Sequence, residues 1–134
     1  MGVVRAALAA GAPFLLLPPG AGPARRTVVL TAHHSRFSPA RVEVPAGATV
    51  RFVVHNQDPI EHELIVGDDA AHRRHERGRE GHHHGDVAGE VSVPPGATAT
   101  TTYRFTGKGT VTFGCHLPGH WSYGMRGLVL VRST

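Results

Sequence analysis

The sequence predicts an all-β fold, a Greek-key sandwich of two sheets, on three observations. Short apolar stretches of strand length recur along most of the chain, and turn residues separate them. Glycine (17) and proline (10) make up about a fifth of the 134 residues, which favours a turn-rich β protein over a helical bundle. The length is that of one domain, and 40% apolar residues suffice for a single core.

The strand at residues 49–55 shows the pattern most clearly. Every second residue there is apolar (Val50, Phe52 and Val54), the period of a strand with one buried face. The sequences Pro-Ala-Gly at 45–47 and Pro-Pro-Gly at 94–96 predict sharp turns. The predicted strands, in order, are 27–32, 41–44, 49–55, 61–66, 91–93, 98–105, 110–113 and 127–131.

The first 24 residues have the order of a secretory signal peptide. One positive charge, Arg5, precedes an apolar run at 6–17, and residues 18–24 combine prolines with small residues such as Ala24. The alternative is a disordered or buried N-terminal arm. We therefore expect a signal peptide at 1–24, a domain at 25–134, and export to the periplasm, the cell surface or the medium.

Charge and hydropathy exclude several classes of protein. The formal net charge is +4, but no basic stripe interleaved with aromatic residues is present, so nucleic-acid binding is not expected. No run of apolar residues is long enough for a membrane-spanning helix. The chain is expected to be a monomer.

Residues 68–90 depart from the strand pattern and predict a His- and Arg-rich surface insertion, with a turn or two of helix around 69–77. One interpretation is a second, labile site for copper or zinc, another a pH-sensitive charged flap. The third is a solvated low-complexity loop without a specific ligand. The histidines concerned are His72, His75, His82, His83 and His84.

The informative motif lies between the last two predicted strands. Cys115, His120 and Met125 are spaced C-x4-H-x4-M, which places a thiolate, an imidazole and a thioether in one loop. Soft sulfur ligands with imidazole select copper, and a plane of two histidines and one cysteine with a weak axial methionine is the blue-copper arrangement. His62, which follows the strand at 49–55 and a short turn, is the natural second imidazole. Taken singly, Cys115 and Met125 could instead be core residues.

With these residues the sequence resembles the cupredoxins, the plastocyanin- and azurin-type blue copper proteins, over about residues 28–131 without the insertion. It looks most similar to small exported cupredoxins with an "EHE" segment and a "CH-x-PGH-x3-GM" loop, some of them linked to copper tolerance. The resemblance implies a cupredoxin-like sandwich with one type 1 copper. It implies His62, Cys115 and His120 as equatorial ligands and Met125 as the axial ligand.

Two positions differ from many cupredoxins. Glu63 follows the first histidine, where relatives often have Asn, and His116 follows the cysteine, where they often have a small hydroxyl residue. We hypothesise that Glu63 and His116 bridge the two ligand loops behind the copper and tune its electronics. In the alternative interpretation both side chains point to solvent.

The resemblance also implies where a partner binds. The edge of His120 would be the electron port, and Leu117, Pro118 and Trp121 would form a docking surface for redox proteins. Trp121 could equally be a core residue.

Three functions follow from these observations. The first is a soluble exported one-electron carrier, and the alternative is a copper-buffering or copper-tolerance protein outside the cytoplasm that uses the histidines of the insertion. An enzyme such as a multicopper oxidase is not expected, because the further copper sites and the second sandwich domain of such enzymes are missing from this sequence.

Overall fold

The computed structural model describes residues 22–77 and 81–133. The predicted signal peptide falls almost entirely outside this part, so it stays a prediction. Nine strands form the framework: β1 (Arg25–His33), β2 (Arg36–Ser38), β3 (Arg41–Pro45), β4 (Thr49–Asn56), β5 (His62–Gly67), β6 (Glu90–Val93), β7 (Thr98–Arg104), β8 (Gly109–Gly114) and β9 (Arg126–Arg132).

The strands form two mixed sheets. One has the order β2-β1-β4-β7, and the other has the order β3-β9-β8-β5-β6. Within them β1 pairs with β4, and β3 with β9, in parallel, while the remaining pairs are antiparallel. The predicted all-β sandwich is confirmed.

Alternation along the strands builds the core between the sheets. In β4 the residues Val50, Phe52 and Val54 are fully buried, as their period of two predicts. Phe52 meets Phe105 edge to face at a centroid distance of 6.3 Å. The sequence patterns therefore located the inward-facing residues of this sheet correctly.

Strand β5 differs, because all six of its residues are buried. One face looks into the core, and helix α1 (Asp69–Glu76) packs against the strand from outside. The Asp68 side chain caps this helix by accepting a hydrogen bond from the Ala71 N–H at 2.9 Å. The predicted helix in the insertion is therefore present.

The surface character predicted for residues 68–90 needs a correction. His72 and His75 lie on the inner face of α1 and are only 5% and 2% exposed. Their spacing of three residues puts both on the side of the helix that faces the sheet. The described part of the segment therefore does not lie wholly in solvent, because α1 packs against β5 and buries these two side chains.

Two short elements escaped the sequence analysis. Strand β2 has only three residues, and helix α2 (His120–Tyr123) has four. Neither is long enough to show a period. Helix α2 lies inside the loop that carries Cys115, His120 and Met125.

Candidate metal centre

Three of the predicted ligands meet at one end of the sandwich. Strand β5 begins at His62, and its antiparallel neighbour β8 ends at Gly114, so the loop that follows β8 lies beside His62. His62, Cys115 and His120 each offer a donor atom, and these atoms lie within 4.8 Å of one another. His120 Nδ1 is 3.2 Å from His62 Nδ1 and 3.3 Å from Cys115 Sγ.

Backbone hydrogen bonds close the loop that carries the remaining ligands. The Met125 N–H donates to the His120 carbonyl, and the Cys115 N–H donates to the Met125 carbonyl, both at 3.0 Å. Gly119 and Gly124 flank α2 with φ angles of 82° and 107°, a left-handed conformation that favours glycine. These hydrogen bonds hold the main chain of Met125 beside that of Cys115, and the Met125 side chain is fully buried.

His62 is oriented by Asp58, a residue that sequence analysis missed. Asp58 Oδ2 lies 2.7 Å from His62 Nε2. The same carboxylate accepts hydrogen bonds from the backbone N–H groups of His34 (2.7 Å) and Ser35 (2.8 Å). Because a carboxylate can only accept a hydrogen bond, the ring proton of His62 is on Nε2 and its lone pair is on Nδ1, which faces His120 Nδ1.

The ionisation of Asp58 fits this role. Burial alone would raise its pKa, but the hydrogen bonds from Ser35, His62 and His34 outweigh burial and lower the pKa from 3.8 to about 2. Asp58 is therefore a carboxylate at neutral pH. The only sequence signal was its position four residues before His62, and that spacing alone does not specify a contact across a turn.

Cys115 is a buried thiol in the absence of metal. Burial raises the pKa of Cys115 to about 11, although backbone hydrogen bonds from Glu63 and Leu117 oppose the shift. The Glu63 N–H donates to Sγ at 3.5 Å. Since metals bind the thiolate, loading this site releases the cysteine proton.

The imidazole of His120 differs from the Cys115 thiol, because its surroundings favour the uncharged form that can bind a metal. Burial and the adjacent His62 lower the pKa of His120, so the ring is neutral at pH 7. Its residue is half-buried, whereas His62 and Cys115 are fully buried. The site therefore approaches the surface at the His120 side.

Glu63 and His116 lie close together, but their contact differs in detail from the predicted one. Glu63 Oε1 accepts a hydrogen bond from the backbone N–H of His116 at 3.0 Å, and both residues are buried. The imidazole of His116 turns instead to His72, whose Nδ1 lies 2.9 Å from His116 Nε2. Glu63 thus links β5, which begins at His62, to the loop after β8 by a hydrogen bond to the main chain.

The imidazole of His116 lies in a stack of rings. Its ring is nearly parallel to that of Trp121, with an interplanar angle of 11° and centroids 4.4 Å apart. Burial, together with His72 and His75, lowers the pKa of His116 to about 4. It is therefore uncharged at neutral pH.

Trp121 meets neither of the two expectations fully. It is half-buried, covered on one side by His116, and the Arg126 guanidinium lies 5.2 Å from its ring centroid. Leu117 is also half-buried, and Pro118 is exposed. The predicted docking surface of Leu117, Pro118 and Trp121 is thus partly accessible beside His120.

The histidines of the insertion do not form one cluster. His72 joins His116, while His82 is exposed near Glu61, at 3.3 Å. His84 is exposed as well. His75 and His83 converge on a different residue, Glu90.

The donor set at the end of the sandwich fits copper. A thiol and two imidazoles converge, and a buried methionine is held to the cysteine by a backbone hydrogen bond. Among the common biological metals, copper is the one that a combination of sulfur and imidazole ligands favours. A family model described as a cupredoxin-like domain matches residues 6–131. The chain belongs to the cupredoxin-like family.

Relatives of known role are similar to this cupredoxin along most of its length. The copper-resistant cuproprotein CopI of Rubrivivax gelatinosus is 41% identical over 119 residues, which cover 86% of this chain and 72% of the relative. CopI of Pseudomonas aeruginosa is 31% identical over 148 residues, covering 86% of this chain and 81% of the relative. Family, fold and donor set together make copper the metal of this cupredoxin.

Solved structures show the same fold. Reduced auracyanin from Roseiflexus castenholzii superposes with a TM-score of 0.67 at 18% identity, covering 79% of this chain and 96% of auracyanin. A multicopper oxidase matches with a TM-score of 0.60 at 17% identity, over 83% of this chain but 40% of the oxidase. Across residues 22–77 and 81–133, no helix has both the length and the apolar character needed to cross a membrane.

Proposed function

We propose that this cupredoxin holds one type 1 copper on His62, Cys115 and His120, with Met125 as axial ligand, and serves copper tolerance outside the cytoplasm. The observation that carries the proposal is the convergence of one thiol and two imidazole donors within 4.8 Å. Met125 is included because its side chain is buried and its main chain is bonded to Cys115 and His120.

Copper bound at such a site supplies one-electron exchange. The chain's contribution is to position and shield the ligands. Asp58 fixes the ring of His62, Glu63 joins the two ligand segments, and the sandwich buries Cys115. Four protein ligands leave no position for a substrate, so we infer that the protein is not an enzyme.

Copper tolerance is preferred to electron transport as the physiological role because of similarity along most of the chain. Two relatives named copper-resistant cuproprotein match 86% of this chain. A signal peptide at 1–24 would place the protein where such a function is needed, and we propose export on that basis. The buried imidazoles of His72 and His75 in the insertion offer further nitrogen atoms that could bind copper.

A one-electron carrier is the second candidate. The half-buried His120 connects the buried thiol to the surface beside the docking surface. That arrangement favours electron exchange with a redox protein partner.

The experiment for the tolerance role is expression of the full chain in a copper-sensitive bacterium. Wild type should raise the copper concentration that stops growth, whereas Cys115→Ser should not, because the thiolate ligand is lost. Replacement of the exposed His84 by Ala is the matched control and should behave as wild type. Equal growth with wild type and Cys115→Ser would contradict the proposal.

Export is tested in the same cells. Protein recovered from the periplasm should have lost about 24 residues when its mass is measured, as a signal peptidase cut near Ala24 predicts. An uncut chain confined to the cytoplasm would contradict the proposed location.

A further inference from the structure

A second group of metal-binding side chains lies in the histidine-rich insertion. His75, on α1, His83 and Glu90, at the start of β6, each offer one donor atom, and these atoms lie within 4.8 Å of one another. None of the three belongs to the copper ligands proposed above. His75 is 2% exposed, Glu90 is 6% exposed, and the His83 side chain is 9% exposed.

Within the part of the chain that the structure describes, Nε2 of His75 and Nε2 of His83 are buried without a hydrogen-bond partner, although His83 Nε2 lies 3.4 Å from Glu63 Oε2, outside this group. Such atoms are rare in folded proteins, because a buried polar atom without a partner loses its hydrogen bond to water and gains nothing in return. The nearest carboxylate oxygen to His75 Nε2 is Glu90 Oε2, at 3.4 Å.

The tautomer of His75 makes its free nitrogen a ligand atom. His75 Nδ1 lies 2.7 Å from the Ala71 carbonyl oxygen, which can only accept a hydrogen bond. The ring proton is therefore on Nδ1, and the lone pair is on Nε2. Metal-binding histidines in proteins are oriented in the same way, by a carbonyl or carboxylate on the second ring nitrogen.

The other two residues are also held in place. His83 is paired with Ser92 of β6: its N–H donates to Ser92 Oγ at 2.9 Å, and its carbonyl accepts from the Ser92 N–H at 2.8 Å. Glu90 Oε1 accepts from Arg74 at 2.9 Å, which leaves Oε2 directed to the imidazoles. Glu90 Oε2 is 3.3 Å from His83 Nδ1.

We propose that His75, His83 and Glu90 form a second metal site, separate from the cysteine centre, for a divalent ion of the borderline class. Two imidazoles and one carboxylate suit Cu(II) and Zn(II), and Cu(II) binds more tightly than Zn(II) to nitrogen and oxygen ligands. The ion gives the buried Nε2 of His75 a partner, binds His83 through the Nδ1 that faces Glu90, and is balanced by the Glu90 carboxylate. The site increases the copper capacity of the chain without a thiolate.

The test measures Cu(II) bound to the purified full-length protein by equilibrium dialysis and metal analysis, with the visible spectrum recorded on the same samples. Wild type should bind one equivalent more than His75→Ala or His83→Ala. Both variants should keep the thiolate-to-copper band, which shows that they are folded. The control His84→Ala, altered at an exposed histidine of the same tract, should bind as much as wild type.

Zn(II) provides a second measurement that does not depend on the cysteine centre. Cys115→Ser should bind Zn(II), and the double variant Cys115→Ser/His75→Ala should bind it at least tenfold more weakly. Glu63 also lies near His83, with Oε2 3.4 Å from His83 Nε2. It is not replaced in this test, because its carboxylate also accepts a hydrogen bond from the main chain of His116.

Equal copper binding by wild type, His75→Ala and His83→Ala would overturn the second site. So would a Zn(II) affinity that does not change when His75 is replaced. Failure of the cysteine centre looks different: the visible band would be missing from wild type, whereas the equivalent lost with His75 would still be measured.

Discussion

At the scale of single residues, Asp58 shows how a side chain that binds no metal can define a metal ligand. Its carboxylate joins the turn at His34 and Ser35 to the Nε2 of His62. The hydrogen bond sets the tautomer and the ring orientation of His62 before any metal arrives.

Replacing Asp58 by Asn should weaken copper binding. The amide can present only one acceptor oxygen, so its NH2 group must face either a backbone N–H or the Nε2–H of His62. We expect the Cu(II) affinity to fall by about 10–100-fold and the reduction potential to rise, because a negative charge that stabilises Cu(II) is lost. Competition with a chelator of known affinity measures the first effect. Asp86→Asn, at an exposed position, is the control, and an unchanged affinity in Asp58→Asn would refute the role.

Glu63 has a related effect on the electronics of the copper site. Glu63→Gln keeps an oxygen that can accept the His116 N–H but removes a negative charge beside the cysteine. The reduction potential should therefore rise, as protein-film voltammetry would measure. The exposed Glu76→Gln is the control. A potential equal to that of wild type would mean that Glu63 has only a mechanical role.

At the scale of elements, the packing of β9 on β8 shows why the second residue of the last strand is a glycine. Gly127 pairs with Phe113, and a Cβ at Gly127 would run into the Phe113 ring and the Ala40 carbonyl oxygen. The strand therefore has no room for a side chain at position 127.

Gly127→Ala should destabilise the fold by about 1–3 kcal/mol through overpacking. Urea unfolding of the metal-free protein measures this difference in the free energy of unfolding. At Gly107 nothing lies within 4 Å of an added Cβ, so Gly107→Ala should change the stability much less. Equal stabilities of the two variants would contradict the packing described here.

The sequence predicted long elements well and short ones poorly. Strands such as β4 and β9 bury alternate residues, and that period is visible in the sequence. Strand β2 and helix α2 are too short to show a period. The histidines of α1 are also instructive: their composition predicted a surface segment, yet His72 and His75 pack inward because hydrogen bonds to Thr112 and Ala71 satisfy one nitrogen of each ring.

At the scale of the whole molecule, the proposed copper ligands come from two segments more than fifty residues apart, so copper should stabilise the fold. The site exists only when β5 and the loop after β8 lie side by side. At a free copper concentration of a thousand times Kd, the folded state gains about 4 kcal/mol. The melting temperature should then rise by at least about 10 °C.

Thermal unfolding with and without Cu(II) measures this stabilisation. Cys115→Ser should gain less from copper than wild type does, because it lacks the thiolate. Removal of the metal with a chelator should return wild type to the metal-free melting temperature. A melting temperature that copper does not change would argue against a site shared by the two segments.

Much of the proposed copper site could be named from the sequence, because its spacing is local. Cys115, His120 and Met125 lie in one loop, and His62 was the available imidazole at the start of a predicted strand. Asp58 could not be identified, since its role depends on a turn that folds back on it. Nor could the partnership of His75, His83 and Glu90, which requires a helix, a loop and a strand to meet in space.

The most direct test of the central claim is a Cu(II) titration followed by visible absorption, with wild type and Cys115→Ser compared under identical conditions. We predict an intense thiolate-to-copper band in wild type that saturates at one equivalent and is missing from Cys115→Ser. No such band in wild type, or the same band in Cys115→Ser, would show that Cys115 is not a copper ligand.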